Sequence, residues 1–436
     1  MKVLKIVISI IFLSPVLLEA SAYLPIFKAD FWIGRLDNPD EVILSSEKIA
    51  ELNALILGEN NEMADVIKMG TSVSKEELEK WLLEDPLPVD KNMFDKKGKP
   101  VKDAFYEELL DNMNFEAINE SNELTFGIVT KRTDIRSFPT DEPVFKGPSA
   151  KDFDAFQYSA IYPPQVVALL HKSRDGQWGF FQTNIVRGWI KLNIIAFVNS
   201  KDDLIIDAEK FVLITGNRVA VFADNKGAKV LESIPMGRSF ALSGEDKRHW
   251  IIKFPKKMGN GQLQWADAFI KKGSDVNIGY LPYTKKNVIK QAFKILGEKY
   301  SWGGRNGLRD CSSFIKDVFA TMGINLPRHS GKQSNVGTLL AGFDEMPANG
   351  DIDNAISSAI PGITLLALNG HIMLYLGNVD GNYYALHQLF GYYDKDGFRT
   401  VNKAVVTNLE LGKDSKMGAL KDRIKSINLI VLDRIN

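Results

Sequence analysis

The chain has 436 residues, of which 45% are hydrophobic and 25% are charged. Since one hydrophobic core rarely serves more than ~250–300 residues, this length predicts several domains, and the apolar content argues against a disordered chain. The 54 basic and 54 acidic side chains balance, so no global charge favours nucleic acid or an anionic membrane as a partner.

The first residues, MKVLKIVISIIFLSPVLLEASA, combine two lysines, a short apolar run and small residues from Ala20 to Ala22. This pattern is typical of a secretory signal, here residues 1–22. We therefore expect export to the periplasm or beyond. The run is interrupted by Pro15 and is shorter than the ~20 apolar residues of a spanning helix, so no integral membrane segment is expected after signal removal.

Residues 23–125 are expected to form a helical N-terminal domain. The stretches SSEKIAELNALIL and SKEELEKWLLEDP each place a serine before an acidic first turn and space apolar residues three and four apart. The sequence then changes to short β-branched and aromatic runs separated by turn residues. We interpret residues 126–202 and 203–282 as two small β-barrels of the SH3-like kind.

Helical spacing returns in VIKQAFKILGEKY, and residues 283–436 mix helices with strands in a length that suits one α+β domain. The expected fold class is therefore multidomain α+β, with a helical N-terminal domain, two small barrels and a C-terminal α+β domain.

The only cysteine of the chain, Cys311, lies in this last segment. Apolar residues follow it at helical spacing from Phe314 to Met322, and Gly323 is typical of the end of a helix. Cys311 is therefore expected at a helix N-terminus. The helix dipole there lowers the pKa of a thiol. An unpaired cysteine in an exported chain favours a functional role, although free cysteine is also commonly buried as a structural residue.

A nucleophilic thiol needs a base that is held by a third group. The stretches GHIMLYLGN and GNYYALHQLFGYY predict a hairpin that brings His371 near His387. A two-residue turn at Asp380-Gly381 would place the two histidines on opposite faces, so we predict a three-residue loop with a glycine bulge. Spacing alone allows equally for His387 as an ordinary polar residue of a half-exposed strand.

No cluster of Cys, His or carboxylate residues has metal-ligand spacing, and HEXXH is absent, so neither a metal nor another cofactor is expected. The glycine-rich WGGRNG lacks the GK[ST] ending of a phosphate loop. His171 and His249 lie in the predicted barrels and are expected to be surface or structural residues.

The successive motifs YSWGG, DCSSF, LPRHSGKQ, GHIMLYLG and LHQLFGYY resemble those of the NlpC/P60 cysteine peptidases, which cut bacterial cell-wall peptides. NPDEVILSSEKIAELN resembles the N-terminal stabilising domain of one branch of that family, and SRDGQWGFF, RGWI and GYLPYTKKN resemble its two SH3-like domains and linker. The resemblance implies a papain-like domain over residues 283–436, with Cys311 as nucleophile, His371 as general base and His387 as the orienting residue.

The resemblance also implies a pocket for the free amino terminus of a short wall peptide, whose ammonium group a carboxylate can bind. The implied pocket residues are Asp310, Ser312, Tyr300, Trp302 and Ser330. The chain departs from the family pattern at His329, where a small polar or acidic residue is common, and in NIVRGWI, which lacks a tyrosine of the SH3-like domain. No pocket residue is therefore assigned from that domain.

The implied reaction is hydrolysis of the γ-D-glutamyl to diamino acid bond of murein peptides with a free N-terminal L-Ala, through a Cys311 thioester. The implied partners are murein peptides or peptidoglycan. Two alternatives stand beside this reading: a peptidoglycan-binding scaffold with an inert papain-like domain, and an amidase or acyltransferase that uses the same Cys-His pair.

Overall fold

A computed structural model describes residues 24–88, 92–343 and 350–432. The predicted signal, residues 1–22, lies outside these ranges. None of the helices that are described is long and apolar enough to cross a membrane. The α-helices are α1 (Ala29–Ile33), α2 (Ser46–Glu59), α3 (Lys75–Leu82), α4 (Asp103–Asn112), α5 (Lys285–Phe293), α6 (Cys311–Ala320), α7 (Ser330–Gln333) and α8 (Asp351–Ile356).

The N-terminal part also contains three short strands, β1 (Val42–Leu44), β2 (Ser72–Ser74) and β3 (Ser121–Glu123). A seven-stranded antiparallel sheet follows, which we call the first β domain. Its order is β10-β4-β7-β8-β9-β5-β6, and its strands are β4 (Thr125–Val129), β5 (Thr133–Arg136), β6 (Gln157–Ile161), β7 (Val166–Lys172), β8 (Trp178–Gln182), β9 (Arg187–Lys191) and β10 (Ile195–Phe197).

A second seven-stranded antiparallel sheet, the second β domain, has the order β13-β12-β16-β15-β14-β11-β17. Its strands are β11 (Phe211–Ile214), β12 (Arg218–Phe222), β13 (Val230–Pro235), β14 (Ser239–Glu245), β15 (His249–Lys257), β16 (Leu263–Lys271) and β17 (Val276–Ile278). Each β domain has its own apolar core, as expected for separately folding β units.

The C-terminal domain contains a six-stranded antiparallel sheet in the order β19-β24-β20-β21-β22-β23, while β18 (Tyr283–Thr284) pairs with β1. The strands of the large sheet are β19 (Thr338–Gly342), β20 (Thr364–Leu368), β21 (His371–Val379), β22 (Asn382–Asp394), β23 (Gly397–Asn408) and β24 (Ile424–Leu429). The multidomain α+β fold class is thus confirmed.

The N-terminal helices begin where the sequence predicts. The side chains of Ser45 and Ser74 accept hydrogen bonds from the first-turn N–H groups of α2 and α3, which caps both helices. The helices are divided between two larger cores, however. Leu52 of α2 packs with the C-terminal domain, whereas Leu78 of α3 packs with Trp189 of the first β domain. The N-terminal segment therefore braces two neighbouring domains.

The helix α6 is packed against the large sheet. Phe314 and Val318 belong to the same buried core as Ile372, Leu374 and Leu386. Each large apolar side chain that is fully buried contributes ~1.5–3 kcal/mol to folding. This packing fixes the start of α6 relative to the start of β21.

The turn between β21 and β22 differs from the predicted three-residue loop. Val379 pairs directly with Asn382, which leaves a two-residue turn. Asp380 and Gly381 have φ of 51° and 80°, in the left-handed region that such short hairpin turns use. The prediction of a longer loop is therefore wrong.

A bulge inside β21, rather than a longer loop, brings the two histidines to the same face of the sheet. The register shifts between Tyr375 and Gly377, so that one extra residue is inserted into β21. Because side chains alternate along a strand, one inserted residue reverses the face of every residue beyond it. His371 and His387 consequently lie on a common face, as predicted, but for a different reason.

Candidate active site

Cys311 is the first residue of α6, as predicted, and 6% of its surface is exposed. The carboxylate of Asp310 accepts a hydrogen bond from the N–H of Ser313, and the hydroxyl of Ser313 accepts one from the N–H of Asp310, each at 2.9 Å. This reciprocal capping fixes the first turn of the helix. The sulfur therefore has a defined position beside the N–H groups at the helix start.

The surroundings of the sulfur favour the thiol over the thiolate. Burial raises the pKa of Cys311 to about 12, and the negative charge of Asp310 acts in the same direction. Backbone N–H groups of Ile372 and Ser312 oppose the rise because they stabilise a thiolate. The sequence predicts a lowered pKa for this thiol from the helix dipole, whereas burial raises it.

The thiol lies next to the start of β21. Its contact with the N–H of Ile372 places the sulfur beside the backbone of His371, the preceding residue. Within the part of the chain that is described, no hydrogen bond joins the thiol to the His371 ring. The cysteine and the first histidine are thus neighbours whose side chains are not yet linked.

The two histidines form a chain of hydrogen bonds that ends on a threonine. His371 Nε2 lies 2.7 Å from His387 Nδ1, and His387 Nε2 lies 2.9 Å from the Oγ1 of Thr407. His387 is fully buried. Burial lowers the pKa of His371 to about 4. Burial, together with the neighbouring His371, also holds the pKa of His387 well below its usual range.

Two proton arrangements satisfy this chain. In one, His371 donates from Nε2 to His387, which donates from Nε2 to Thr407; in the other, every donor and acceptor is reversed. Only the first leaves Nδ1 of His371 without a proton. That arrangement is the one that enables His371 to accept a proton from a thiol.

Asp310, predicted to bind a substrate ammonium group, already has a buried cationic partner. Arg328 Nη2 donates to Asp310 Oδ2 at 2.6 Å, and its Nη1 donates to Asp310 Oδ1 at 3.2 Å and to Ser312 Oγ at 2.7 Å. The N–H of Gly303 and the hydroxyl of Ser312 also donate to this carboxylate. Arg328 accordingly holds the pKa of Asp310 low against the opposing effect of burial.

The first β domain forms one side of the site. Ser159 Oγ accepts a hydrogen bond of 2.8 Å from Arg328 Nε, and Gln157 Nε2 donates to Gly303 O at 3.0 Å. A Cβ on Gly303 would lie 2.4 Å from the Gln157 side chain, and its φ is 61°. The glycines of WGGRNG, for which no nucleotide role was predicted, thus let the first β domain approach closely.

Tyr300 and Trp302 contribute to an aromatic cluster with Phe153 and Phe390. Phe153 packs edge-on to Trp302 and Phe390 at 5.3 and 4.6 Å between ring centroids, and Tyr300 lies 5.7 Å from Phe390. Trp302 Nε1 also donates to the carbonyl of Asp154 at 3.1 Å. Burial raises the pKa of Tyr300, and the nearby Cys311 adds to the effect.

Ser330, the remaining predicted pocket residue, begins α7 and is half-buried. The structure links this helix to the site through Gln333, whose Nε2 donates to the carbonyl of Ser312 at 2.9 Å. The preceding His329 lies 3.6 Å from a carboxylate oxygen of Glu62. The structure therefore assigns α7 a supporting position and gives Ser330 no polar contact with Cys311.

The histidines outside the site are structural. His171 is buried and its Nε2 lies 3.0 Å from the carbonyl of Met113, which ties β7 to the end of α4. His249 is buried beside Asp246. Over residues 24–88, 92–343 and 350–432, no three His, Cys, Asp or Glu side chains are grouped closely enough to hold a metal ion.

Sequence reasoning missed four residues that complete the site: Arg328, Thr407, Ser159 and Phe153. Arg328 lies inside the motif LPRHSGKQ, so the sequence did contain a signal for it. An arginine in that motif could have been predicted to pair with the acidic residue before Cys311. The other three come from distant strands and loops that only the folded chain brings together.

Comparisons with known proteins agree with this architecture. The family described as NlpC/P60 matches residues 297–389, and the SH3 domain of the SH3b1 type matches residues 143–191. A solved NlpC/P60 endopeptidase from Photobacterium damselae subsp. piscicida has a TM-score of 0.71 at 19% identity, covering 92% of this chain and 96% of that chain. This similarity extends the shared fold over nearly the whole molecule.

Sequence relatives match over shorter stretches. A probable endopeptidase p60 of Listeria innocua is 55% identical over 47 residues, which is 11% of this chain and 10% of that protein. A gamma-D-glutamyl-L-lysine dipeptidyl-peptidase of Bacillus cereus is 26% identical over 134 residues, covering 30% of this chain and 38% of that protein. The chain thus spans about a tenth of the p60 relatives and about two fifths of the dipeptidyl-peptidase. It contains a domain of the NlpC/P60 family together with an SH3 domain of the SH3b1 type.

Proposed function

We propose that the protein is a cysteine endopeptidase that cuts the γ-D-glutamyl to diamino acid bond of murein peptides. The observation that carries the proposal is the convergence of a helix-start thiol, Cys311, with a strand that begins at His371 and continues into the His387 and Thr407 hydrogen bonds. A nucleophile beside a base that is oriented by a third group is the arrangement that acyl transfer requires.

The proposed reaction conserves atoms and protons. Nδ1 of His371 accepts the thiol proton as the sulfur of Cys311 attacks the γ-carbonyl carbon, and N–H groups at the start of α6 stabilise the oxyanion. The carbon–nitrogen bond breaks and the imidazolium donates the proton to the leaving amine. Water, deprotonated by the same imidazole, then attacks the thioester carbon; the carbon–sulfur bond breaks and the imidazolium returns the proton to the sulfur of Cys311.

This mechanism requires the ring of His371 to approach the thiol. Ile372 and Leu374, which belong to the core beneath α6, alternate with His371 along β21. The ring therefore has to reach the sulfur around the start of the strand. Catalytic hydrogen bonds commonly tighten when substrate binds.

The chemical identity of the substrate rests on the relatives. The Bacillus cereus protein is named for the γ-D-glutamyl bond, which supports the same bond here. The family resemblance further implied a free N-terminal L-Ala bound by Asp310. We do not propose this requirement, because Arg328 already binds the Asp310 carboxylate.

We also propose that the enzyme is exported and meets peptidoglycan outside the cytoplasm. The basic and apolar start of the sequence supports export, and the SH3 domain match supports contact with the wall. The roles of Ser312, Tyr300, Trp302 and Ser330 in substrate binding belong to the same proposal.

Mass spectrometry of the products tests the function. We expect L-Ala-γ-D-Glu-diaminopimelate to yield L-Ala-D-Glu and free diaminopimelate. Cleavage at a different bond would indicate an amidase, transfer to an added amine would indicate an acyltransferase, and binding to purified sacculi without any hydrolysis would indicate a scaffold.

A further inference from the structure

A cleft lies where both β domains meet the back of helix α6, on the side away from its first residue. It encloses about 210 Å³. Tyr162 and Asn184 of the first β domain, Arg238 and Ser239 of the second, and Lys316 of α6 are among its lining residues. The cleft is thus built by three domains at once.

The charges that line this cleft are of one sign. Arg238 and Lys316 are its ionised side chains, and no Asp or Glu lines it among the residues described. Neutral groups that can donate hydrogen bonds, such as the Asn184 amide, the Ser239 hydroxyl and the Tyr162 hydroxyl, make up much of the remaining polar lining. This composition suits a ligand that carries negative charge.

The carboxylate of Asp317, next to the cleft, is paired with three cationic side chains. Asp317 lies 2.7 Å from Lys316 Nζ, 3.3 Å from Arg238 Nη1 and 2.8 Å from Arg309 Nε. Arg309 is also paired with Glu298 at 2.9 Å. Three cations therefore share two carboxylates, which leaves positive charge uncompensated in a buried place.

Further groups next to the cleft increase the surplus. Among the residues that the structure describes, the buried Nη2 of Arg218 has no hydrogen-bond partner. Arg218, Arg238 and Lys316 line one adjoining cavity, together with Asp317. Lys316 is 7% exposed and, within the described ranges, its ammonium group donates only to Asp317. Burial and, to a lesser extent, the charge of Arg238 lower the pKa of Lys316 to about 8.

We propose that this junction cleft binds a small oxyanion, a carboxylate or phosphate group, between Arg238 and Lys316. Such a ligand supplies the missing negative charge and accepts the unused donors of the ammonium and guanidinium groups. Because its walls come from three domains, an occupied cleft holds the second β domain against the helix that carries Cys311. The inference does not depend on the peptidase proposal.

Calorimetric titration of the full chain with inorganic phosphate tests the site, with acetate as a second arm that represents a carboxylate source. We expect saturable binding at constant ionic strength and a rise in the unfolding temperature that follows occupancy. The variant Arg238→Gln is expected to bind at least about tenfold more weakly, since hydrogen bonds to charged groups contribute ~1.5–3 kcal/mol.

Two further variants guard against a folding artefact. Asn184→Leu fills the cleft without touching the ion pairs and is expected to weaken binding to a similar extent. Lys253 belongs to the second β domain, like Arg238, but is paired with Asp267 outside the cleft. The variant Lys253→Gln is therefore expected to bind phosphate normally. Absence of saturable binding to the wild-type chain, or equal binding by Arg238→Gln and Lys253→Gln, would overturn the proposal.

Discussion

His371 and His387 meet at 2.7 Å between ring nitrogens, although the two-residue turn that joins their strands would by itself place them on opposite faces. The bulge between Tyr375 and Gly377 removes this conflict. A local backbone irregularity, at some distance from the histidines in sequence, therefore aligns the proposed base with its orienting residue.

Removing the hydroxyl of Thr407 tests the hydrogen-bond chain. In Thr407→Val, His387 loses the partner of its Nε2, so the tautomer that frees Nδ1 of His371 is less favoured. We expect kcat to fall up to about tenfold, the value of one neutral hydrogen bond, with KM little changed. Thr407→Ser retains the hydroxyl and is the matched control. An equal fall in kcat in both variants would contradict a role for the His371–His387–Thr407 hydrogen bonds.

The pH dependence follows from the two shifted pKa values. His371 must be neutral to accept a proton, and its pKa is lowered to about 4. We therefore expect kcat/KM to be flat near neutrality and to fall as the pH drops through about 4, because kcat/KM reports the free enzyme.

The alkylation rate of Cys311 tests the protonation state of the thiol. Because the pKa of Cys311 is raised to about 12, its rate of alkylation by iodoacetamide is expected to keep rising as the pH is raised above neutrality. A rate that is already at its plateau at neutral pH would show a preformed thiolate–imidazolium pair and contradict the neutral pair described here.

Blocking the amino terminus of the peptide tests the role of Asp310. Arg328 already neutralises this carboxylate, so an ammonium group would have to displace a buried partner, which is costly. We expect N-acetyl-L-Ala-γ-D-Glu-diaminopimelate to be cleaved with a kcat/KM close to that of the unblocked peptide. A loss of about tenfold or more on acetylation would instead support the predicted ammonium site, since a charged hydrogen bond is worth ~1.5–3 kcal/mol.

The approach of the first β domain can be disturbed at one glycine. In Gly303→Ala the new Cβ would lie 2.4 Å from the Gln157 side chain at a φ of 61°, so we expect lower kcat/KM and a lower unfolding temperature. Gly176→Ala imposes a similar backbone strain, with φ of 67° and nothing within 4 Å of the Cβ, and costs ~1–3 kcal/mol. If the two variants behave alike, close docking of the first β domain does not shape the site.

Local signals predicted much of this molecule. The serine caps of α2 and α3, the helix start at Cys311 and the two histidine strands each depend on neighbours in sequence, and all are confirmed. The family motifs added the NlpC/P60 domain and an SH3 domain, which the family comparisons match. These features share one property: a short window of residues contains their whole physical cause.

Features that depend on tertiary packing were predicted less well. The rise in the thiol pKa depends on burial, and the pairing of Asp310 with Arg328 depends on where the chain between α6 and α7 folds. The bulge in β21 replaced the loop that the turn chemistry had suggested. The division of the N-terminal helices between two cores likewise follows from long-range contacts that no short window reveals.

Turnover of L-Ala-γ-D-Glu-diaminopimelate by Cys311→Ala, beside the wild-type chain, tests the central claim most directly. The account predicts that the wild type releases diaminopimelate and that the variant, with an unchanged unfolding profile, loses at least about a thousandfold in rate. Release of diaminopimelate by the variant at the wild-type rate would contradict a mechanism in which this sulfur is the nucleophile.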